Sequence, residues 1–207
     1  MKTLIFNGSP RKNGGTSAMV EAFSGKMAGE VFAVETYRAE IAPCTDCRWC
    51  WEHPGCAIED PMQQVYRRIQ EADQIVLASP IYFAELTGSL LQTASRLQAL
   101  WVAKTFRGRP LWPDRPRRGA LFLTDGGDGA WEAALAMGKR LLRLMGASME
   151  ELIYCSGTDL PDGPSRISRA AEQAAALALR WSSCPLEKET GKPLDHGKTE
   201  REEKENA

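Results

Sequence analysis

Lys2-Thr3-Leu4-Ile5-Phe6-Asn7-Gly8-Ser9-Pro10-Arg11-Lys12-Asn13-Gly14-Gly15-Thr16-Ser17 carries the first decision about the fold. Residues 2–7 read as a short buried strand, and Gly8 and Pro10 end it. An amphipathic helix is predicted over 16–27, with Met19, Val20, Phe23 and Met27 on one face. A buried strand that turns through glycines straight into a helix is how a parallel α/β sheet opens.

The same unit recurs along the chain. Residues 31–37 form a second strand candidate. Asp60 suits an N-cap and Pro61 a first helical position, ahead of Met62, Val65, Tyr66 and Ile69 at helical spacing. Residues 74–79 are a continuous apolar strand, as expected where both faces of a parallel sheet are covered. Leu90, Leu91, Ala94, Leu97 and Trp101 mark one further helix, and residues 120–124 a fourth strand. Trp131, Leu135, Gly138, Leu142 and Met145 mark the next helix. Residues 149–155 form the fifth strand and 165–181 an alanine-rich last helix. Five alternations predict a doubly wound α/β sheet. Ligands in such sheets bind beyond the carboxyl ends of the strands, so the loops after strands one, three and four are read for chemistry.

Composition narrows the classes. A chain of 207 residues can bury one good core but not two comfortable ones. A net charge of -1 argues against a general nucleic-acid binder or a polybasic membrane binder. Leu4-Ile5-Phe6 is too short for a signal peptide, and no apolar run approaches membrane-spanning length. A cytoplasmic location is the expectation, and there the six cysteines would be thiols or ligands rather than disulfides. After residue 184 the chain turns charged and almost free of apolar residues, so residues 185–207 read as a disordered tail.

The loop from Gly8 to Ser17 has the makings of a phosphate cradle. Its glycines, Gly15 among them, let the backbone aim amides inward, while Ser9, Thr16 and Ser17 offer hydroxyls. The helix N-terminus adds its dipole and Arg11 a full charge. It is neither the G-x-x-x-x-G-K-[ST] loop nor the G-x-G-x-x-G fingerprint; a polar turn without a ligand is the plainer reading. After the third strand, Pro80-Ile81-Tyr82-Phe83 offers an aromatic pair able to wall a flat ring, or simply to cap the core or meet a partner. After the fourth strand, Asp125-Gly126-Gly127 allows close approach of a ligand to the backbone.

Cys44, Cys47, Cys50 and Cys56 form a C-x2-C-x2-C-x5-C array. Such a run resembles the C-x2-C-x2-C of bacterial iron–sulfur proteins. Zinc also takes four thiolates, though usually as two separated C-x2-C knuckles, and reduced thiols without metal are the third reading. Trp49 and Trp51 between the thiols either shield a cluster from water or pack against a neighbouring subunit. His53 and His196 look unremarkable, and Cys155 and Cys184 read as packing residues.

Together these motifs resemble the NADPH-dependent FMN reductase family of the flavodoxin-like superfamily. Residues 7–16 look like its FMN-phosphate loop, residues 79–83 like its isoalloxazine loop, and the cysteine array followed by Ala57-Ile58-Glu59-Asp60-Pro61-Met62 like its iron–sulfur flavoprotein subgroup. The resemblance implies a flavodoxin-like domain over residues 1–184, with a cysteine loop at 43–60 and a five-stranded parallel sheet in the order 2-1-3-4-5. It implies FMN held by Ser9, Arg11, Asn13, Gly15, Thr16, Ser17, Pro80, Ile81, Tyr82, Phe83, Asp125, Gly126 and Gly127. It also implies a 4Fe–4S cluster on the four cysteines, NAD(P)H as electron donor, a redox partner protein or small-molecule acceptor, and a homodimer or homotetramer. The family often has Asn where Gly15 stands, which implies one side-chain bond fewer to the phosphate. No side chain is expected to act as acid or base, because flavin carries the redox chemistry. A cluster-free flavin or quinone reductase and a non-catalytic electron carrier are the alternatives.

Overall fold

A computed structural model describes residues 1–127 and 129–184. Their elements are β1 (Lys2–Asn7), α1 (Gly15–Ser24), β2 (Glu30–Glu35), α2 (Trp49–Glu52), α3 (Met62–Glu71), β3 (Gln74–Tyr82), β4 (Glu85–Leu86), α4 (Gly88–Ser95), α5 (Gln98–Thr105), β5 (Arg117–Thr124), α6 (Glu132–Leu144), β6 (Ala147–Cys155) and α7 (Gly163–Ser183). Five parallel strands lie in the order β2-β1-β3-β5-β6, which is the expected 2-1-3-4-5 counted over the parallel strands. The two-residue β4 is additional and pairs antiparallel with the end of β3.

Period-two alternation sends the central strands into two layers. Leu4, Phe6, Ile75, Leu77, Leu121 and Leu123 pack toward Met62, Val65, Ile69 and Leu142 of α3 and α6. Ile5, Val76, Ala78, Ala120 and Phe122 pack toward Met19, Phe23, Ala174 and Trp181 of α1 and α7. Phe23 meets Phe122 and Trp181 edge-on, with ring centroids 5.6 and 5.7 Å apart. Because both faces are covered, the strands read as unbroken apolar runs rather than alternating ones.

The structure departs from the sequence reading in three places. The single helix expected across Leu90–Trp101 is two, α4 and α5, broken at Arg96. Tyr66 Oη donates to the Arg96 carbonyl at 2.6 Å, and the N–H groups of Arg96 and Leu97 reach back three residues, to Thr93 and Ala94, instead of four. The loop expected after residue 79 is instead a continuation of β3 to Tyr82 and a hairpin back through β4. Its two turn residues, Phe83 and Ala84, have φ of 53° and 64°. Such a turn normally advertises itself by Asn or Gly, and here neither is present. Finally, α2 lies within the cysteine loop, where no helix was expected. The expected tail at 185–207, with His196, lies outside the described residues. No helix among them is long and apolar enough to cross a membrane.

Candidate functional site

The glycine loop is held from three sides. Asn7 Oδ1 accepts from the Ser9 N–H at 3.0 Å while its Nδ2 donates to both Glu35 carboxylate oxygens. The Gly8 N–H donates to Ala78 O at 2.7 Å, and Thr87 Oγ1 donates to Gly8 O at 2.9 Å. A Cβ on Gly8 would stand 2.7 Å from Thr87 Oγ1, so glycine is required there by close approach. Ser9 Oγ and Ser17 Oγ both donate to Arg11 O, closing the loop over the start of α1. Gly14 caps that helix without a side-chain hydrogen bond, so its first-turn N–H groups remain available to an anion. Arg11 is exposed and has no ion-pair partner among the described residues.

This loop forms one wall of an open cleft of about 460 Å³. Ser9, Arg11, Gly15 and Thr16 line it together with Pro80, Ile81 and Tyr82 from the hairpin, and Asp125 and Gly126 from the end of β5. The three loops singled out in the sequence therefore converge. Asn13, Ser17, Phe83 and Gly127 do not line the cleft: Asn13 faces solvent, Ser17 bonds Arg11 O, and Phe83 is fully exposed at the hairpin tip. The Asp125 carboxylate is already engaged, accepting from Tyr154 Oη and from the Gly157 N–H, so it stitches β5 to the loop after β6. Position 15 is tight against α7, since a Cβ there would lie 3.1 Å from Ile167 Cγ1 and the isoleucine would have to give way by a few tenths of an ångström.

Sequence reading missed Thr158 and Asp159, which also line the cleft, as does Thr124 at the junction of the fourth strand and its loop. Thr124 Oγ1 bonds Thr16 Oγ1 at 2.7 Å, tying β5 to the glycine loop. Thr158 and Asp159 follow the fifth strand, and the rule that directed attention to the carboxyl ends of strands applies to that loop equally.

The four cysteines line one shallow hollow, walled by Trp49, Trp51, Ile58, Arg96 and Ala99. Cys44 and Cys47 are exposed, Cys50 and Cys56 half-buried, and all are free thiols. Burial pushes the Cys50 thiol up; a backbone hydrogen bond opposes this, while the three neighbouring thiols add to it. Among the described residues, no group of three or more His, Cys, Asp or Glu side chains is drawn up to hold one metal ion. Four thiols on one hollow are a donor set that either zinc or an iron–sulfur cluster takes. Trp51 stacks on Phe106 and Trp49 on His53, and both tryptophans stay partly exposed. Cys155 is buried as expected, but Cys184 is exposed and not a packing residue.

The two features share α4. Thr87 at its start bonds the glycine loop, and Ser95 at its end accepts from the Cys44 N–H at 2.9 Å. At 1.5 Å per residue its eight residues are about 12 Å long.

The model of the NADPH-dependent FMN reductase family matches residues 1–151. An iron–sulfur flavoprotein of Methanocaldococcus jannaschii is 30% identical over 112 residues, covering 53% of this chain and 58% of that protein. One from Archaeoglobus fulgidus is also 30% identical over 112 residues, covering 53% and 51%. The chain thus spans about half the length of the curated relatives it matches. The fold superposes on the azoreductase of Bacillus anthracis with a TM-score of 0.67 at 19% identity, over 87% of this chain and 99% of that one.

Proposed function

The chain belongs to the NADPH-dependent FMN reductase family, and on that footing we propose that it is an FMN-dependent oxidoreductase whose cysteine loop holds a 4Fe–4S cluster. The observation that carries the reading is the pairing of one cleft lined by all three sequence-marked loops with one hollow lined by all four cysteines. The iron–sulfur flavoproteins among its relatives support the second half. When bound, FMN supplies two-electron and the cluster one-electron redox chemistry.

The chain's own residues bind and orient. The uncapped start of α1 and Arg11 receive the phosphate; Pro80, Ile81 and Tyr82 flank the ring; Asp125 keeps the far wall in place through its bonds to Tyr154 and Gly157. Cys44, Cys47, Cys50 and Cys56 supply thiolates. No side chain is assigned as acid or base. NAD(P)H is the proposed donor, a small molecule or redox protein the acceptor, and the reducing cytoplasm the setting its thiols call for.

Arg11→Ala should weaken FMN binding by about tenfold, since a charge-assisted bond to phosphate is worth roughly 1.5–3 kcal/mol. Equal affinity in fluorescence titrations of the two proteins would remove Arg11 from the site. Tyr82→Ala should shift the absorption or quenching of bound flavin while leaving the melting temperature near wild type, because the side chain is 41% exposed. An unaltered bound spectrum assigns Tyr82 to the hairpin alone.

The deciding experiment is anaerobic purification, followed by flavin, iron and acid-labile sulfide analysis and an NADPH oxidation assay. Flavin with iron and turnover is the expected result. Flavin and turnover without iron after reconstitution leaves a cluster-free reductase; flavin without turnover with any acceptor leaves an electron carrier.

A further inference from the structure

Arg96 is the largest wholly buried side chain of the described residues. Its Nη1 donates to Asp60 Oδ2 at 2.6 Å and to Ala42 O at 3.0 Å, and its Nη2 to Ile58 O at 3.1 Å. The Nε–H, equally buried, has no hydrogen-bond partner among the described residues. A buried donor left unpaired is costly and calls for a reason. Arg96 forms part of the wall of the cysteine hollow, and Cys56 faces both its guanidinium and the Tyr66 hydroxyl. Asp60, by contrast, does not line the hollow; the Ala42 and Met62 N–H groups hold it behind the guanidinium, at 3.0 Å each.

We propose that Arg96 is the charge partner of the cysteine-held cluster, its Nε–H donating to the Cys56 thiolate and its fixed charge raising the cluster's reduction potential. This rests on the reading that the four cysteines hold a cluster. Reduction adds one electron to a group already bearing four thiolates, so a cation in the wall favours the reduced form over the oxidised one. Arginine suits the place because it stays charged when buried and its fork satisfies three oxygens while leaving one edge for sulfur. Arg48 also lines the hollow, but its side chain is 72% exposed, and water and salt screen it. Arg96 is a positioning and tuning residue; it carries no electron itself.

The test is a potentiometric titration of the full chain carrying its cluster, followed by the paramagnetic resonance signal of the reduced cluster. Asp60→Asn removes the compensating negative charge and leaves the guanidinium, so the potential should rise. Asp60→Asn/Arg96→Gln removes both charges, leaving no ion unpaired, and its potential should fall below that of Asp60→Asn. Each step should change the reduced-to-oxidised ratio at fixed potential by about tenfold, which is 59 mV for a one-electron couple. A residue that only latches the loop would lower iron content without moving the potential of the iron that remains. Full iron with unshifted potentials overturns the role of Arg96 and leaves the cluster reading standing. Wild-type protein that takes up no iron overturns both. If the double variant does not fold, the sign of the Asp60→Asn shift still decides: no rise refutes the proposal.

Discussion

Arg96→Ala is expected to destabilise the protein by about 3–5 kcal/mol, the usual result of removing one member of a buried ion pair, and to lower its melting temperature by on the order of 10 °C. The Arg96 side chain is 0% exposed and Asp60 10%, so the truncation strands a carboxylate away from water. It also frees the Ala42 and Ile58 carbonyls, which lie before and after the cysteines, so the two ends of the cysteine loop lose their common anchor. The dependence on pH fixes the cause. Burial alone raises the Asp60 carboxyl, but hydrogen bonds from Arg96 and from the Ala42 and Met62 N–H groups outweigh it and hold it below the usual carboxylate range. A group depressed in the folded state stabilises fully above its unfolded value of about 3.9, and that stability is lost as the pH falls through the lower folded value. The gap between wild type and Arg96→Ala, measured by urea unfolding, should be widest near pH 7 and narrow as acid protonates Asp60, down to the pH-independent part left by the freed Ala42 and Ile58 carbonyls. A gap under about 1 kcal/mol at pH 7, or one that does not narrow in acid, would contradict the ion-pair account.

Arg96 also illustrates what sequence could and could not disclose. The parallel sheet was legible because residues 74–79 and 120–124 are unbroken apolar runs, a pattern that burial on both faces produces directly. The glycine loop was legible for the same kind of reason: Gly8 answers a close approach within the strand-to-helix turn. Helix periodicity, however, sees only which positions are apolar. Leu90, Leu97 and Leu100 keep that spacing through the α4–α5 break, because the break arises from Tyr66 reaching the Arg96 carbonyl across 30 positions of sequence. The hairpin at Phe83-Ala84 was hidden because it uses neither glycine nor asparagine at positive φ. Asp125 lines the cleft, but that its carboxylate serves the loop after β6 is a partnership only the tertiary structure displays. Three loops converging on one cleft follows from the topology rule, and that rule extends without change to Thr158 and Asp159.

Cys47→Ser is expected to cost the protein most of its iron and acid-labile sulfide while leaving FMN content near wild type. Serine supplies a hard, protonated oxygen where a soft thiolate is needed, so a cluster on four thiolates loses a quarter of its ligation. Folding should not suffer, because Cys47 is exposed and contributes no core packing. Flavin should not suffer either: the cysteine hollow and the glycine-loop cleft share no lining residue and meet opposite ends of α4. Cys184→Ser is the matching control, since it also removes an exposed thiol but one outside the hollow. Iron, sulfide and flavin are then measured per chain in the three proteins, purified together without oxygen. Iron lost from Cys47→Ser and kept in Cys184→Ser identifies the array as the ligand set. Iron kept in both removes Cys47 from the ligand set. Flavin lost together with iron in Cys47→Ser would mean that α4 transmits damage from one end to the other, and the two sites would no longer count as independent.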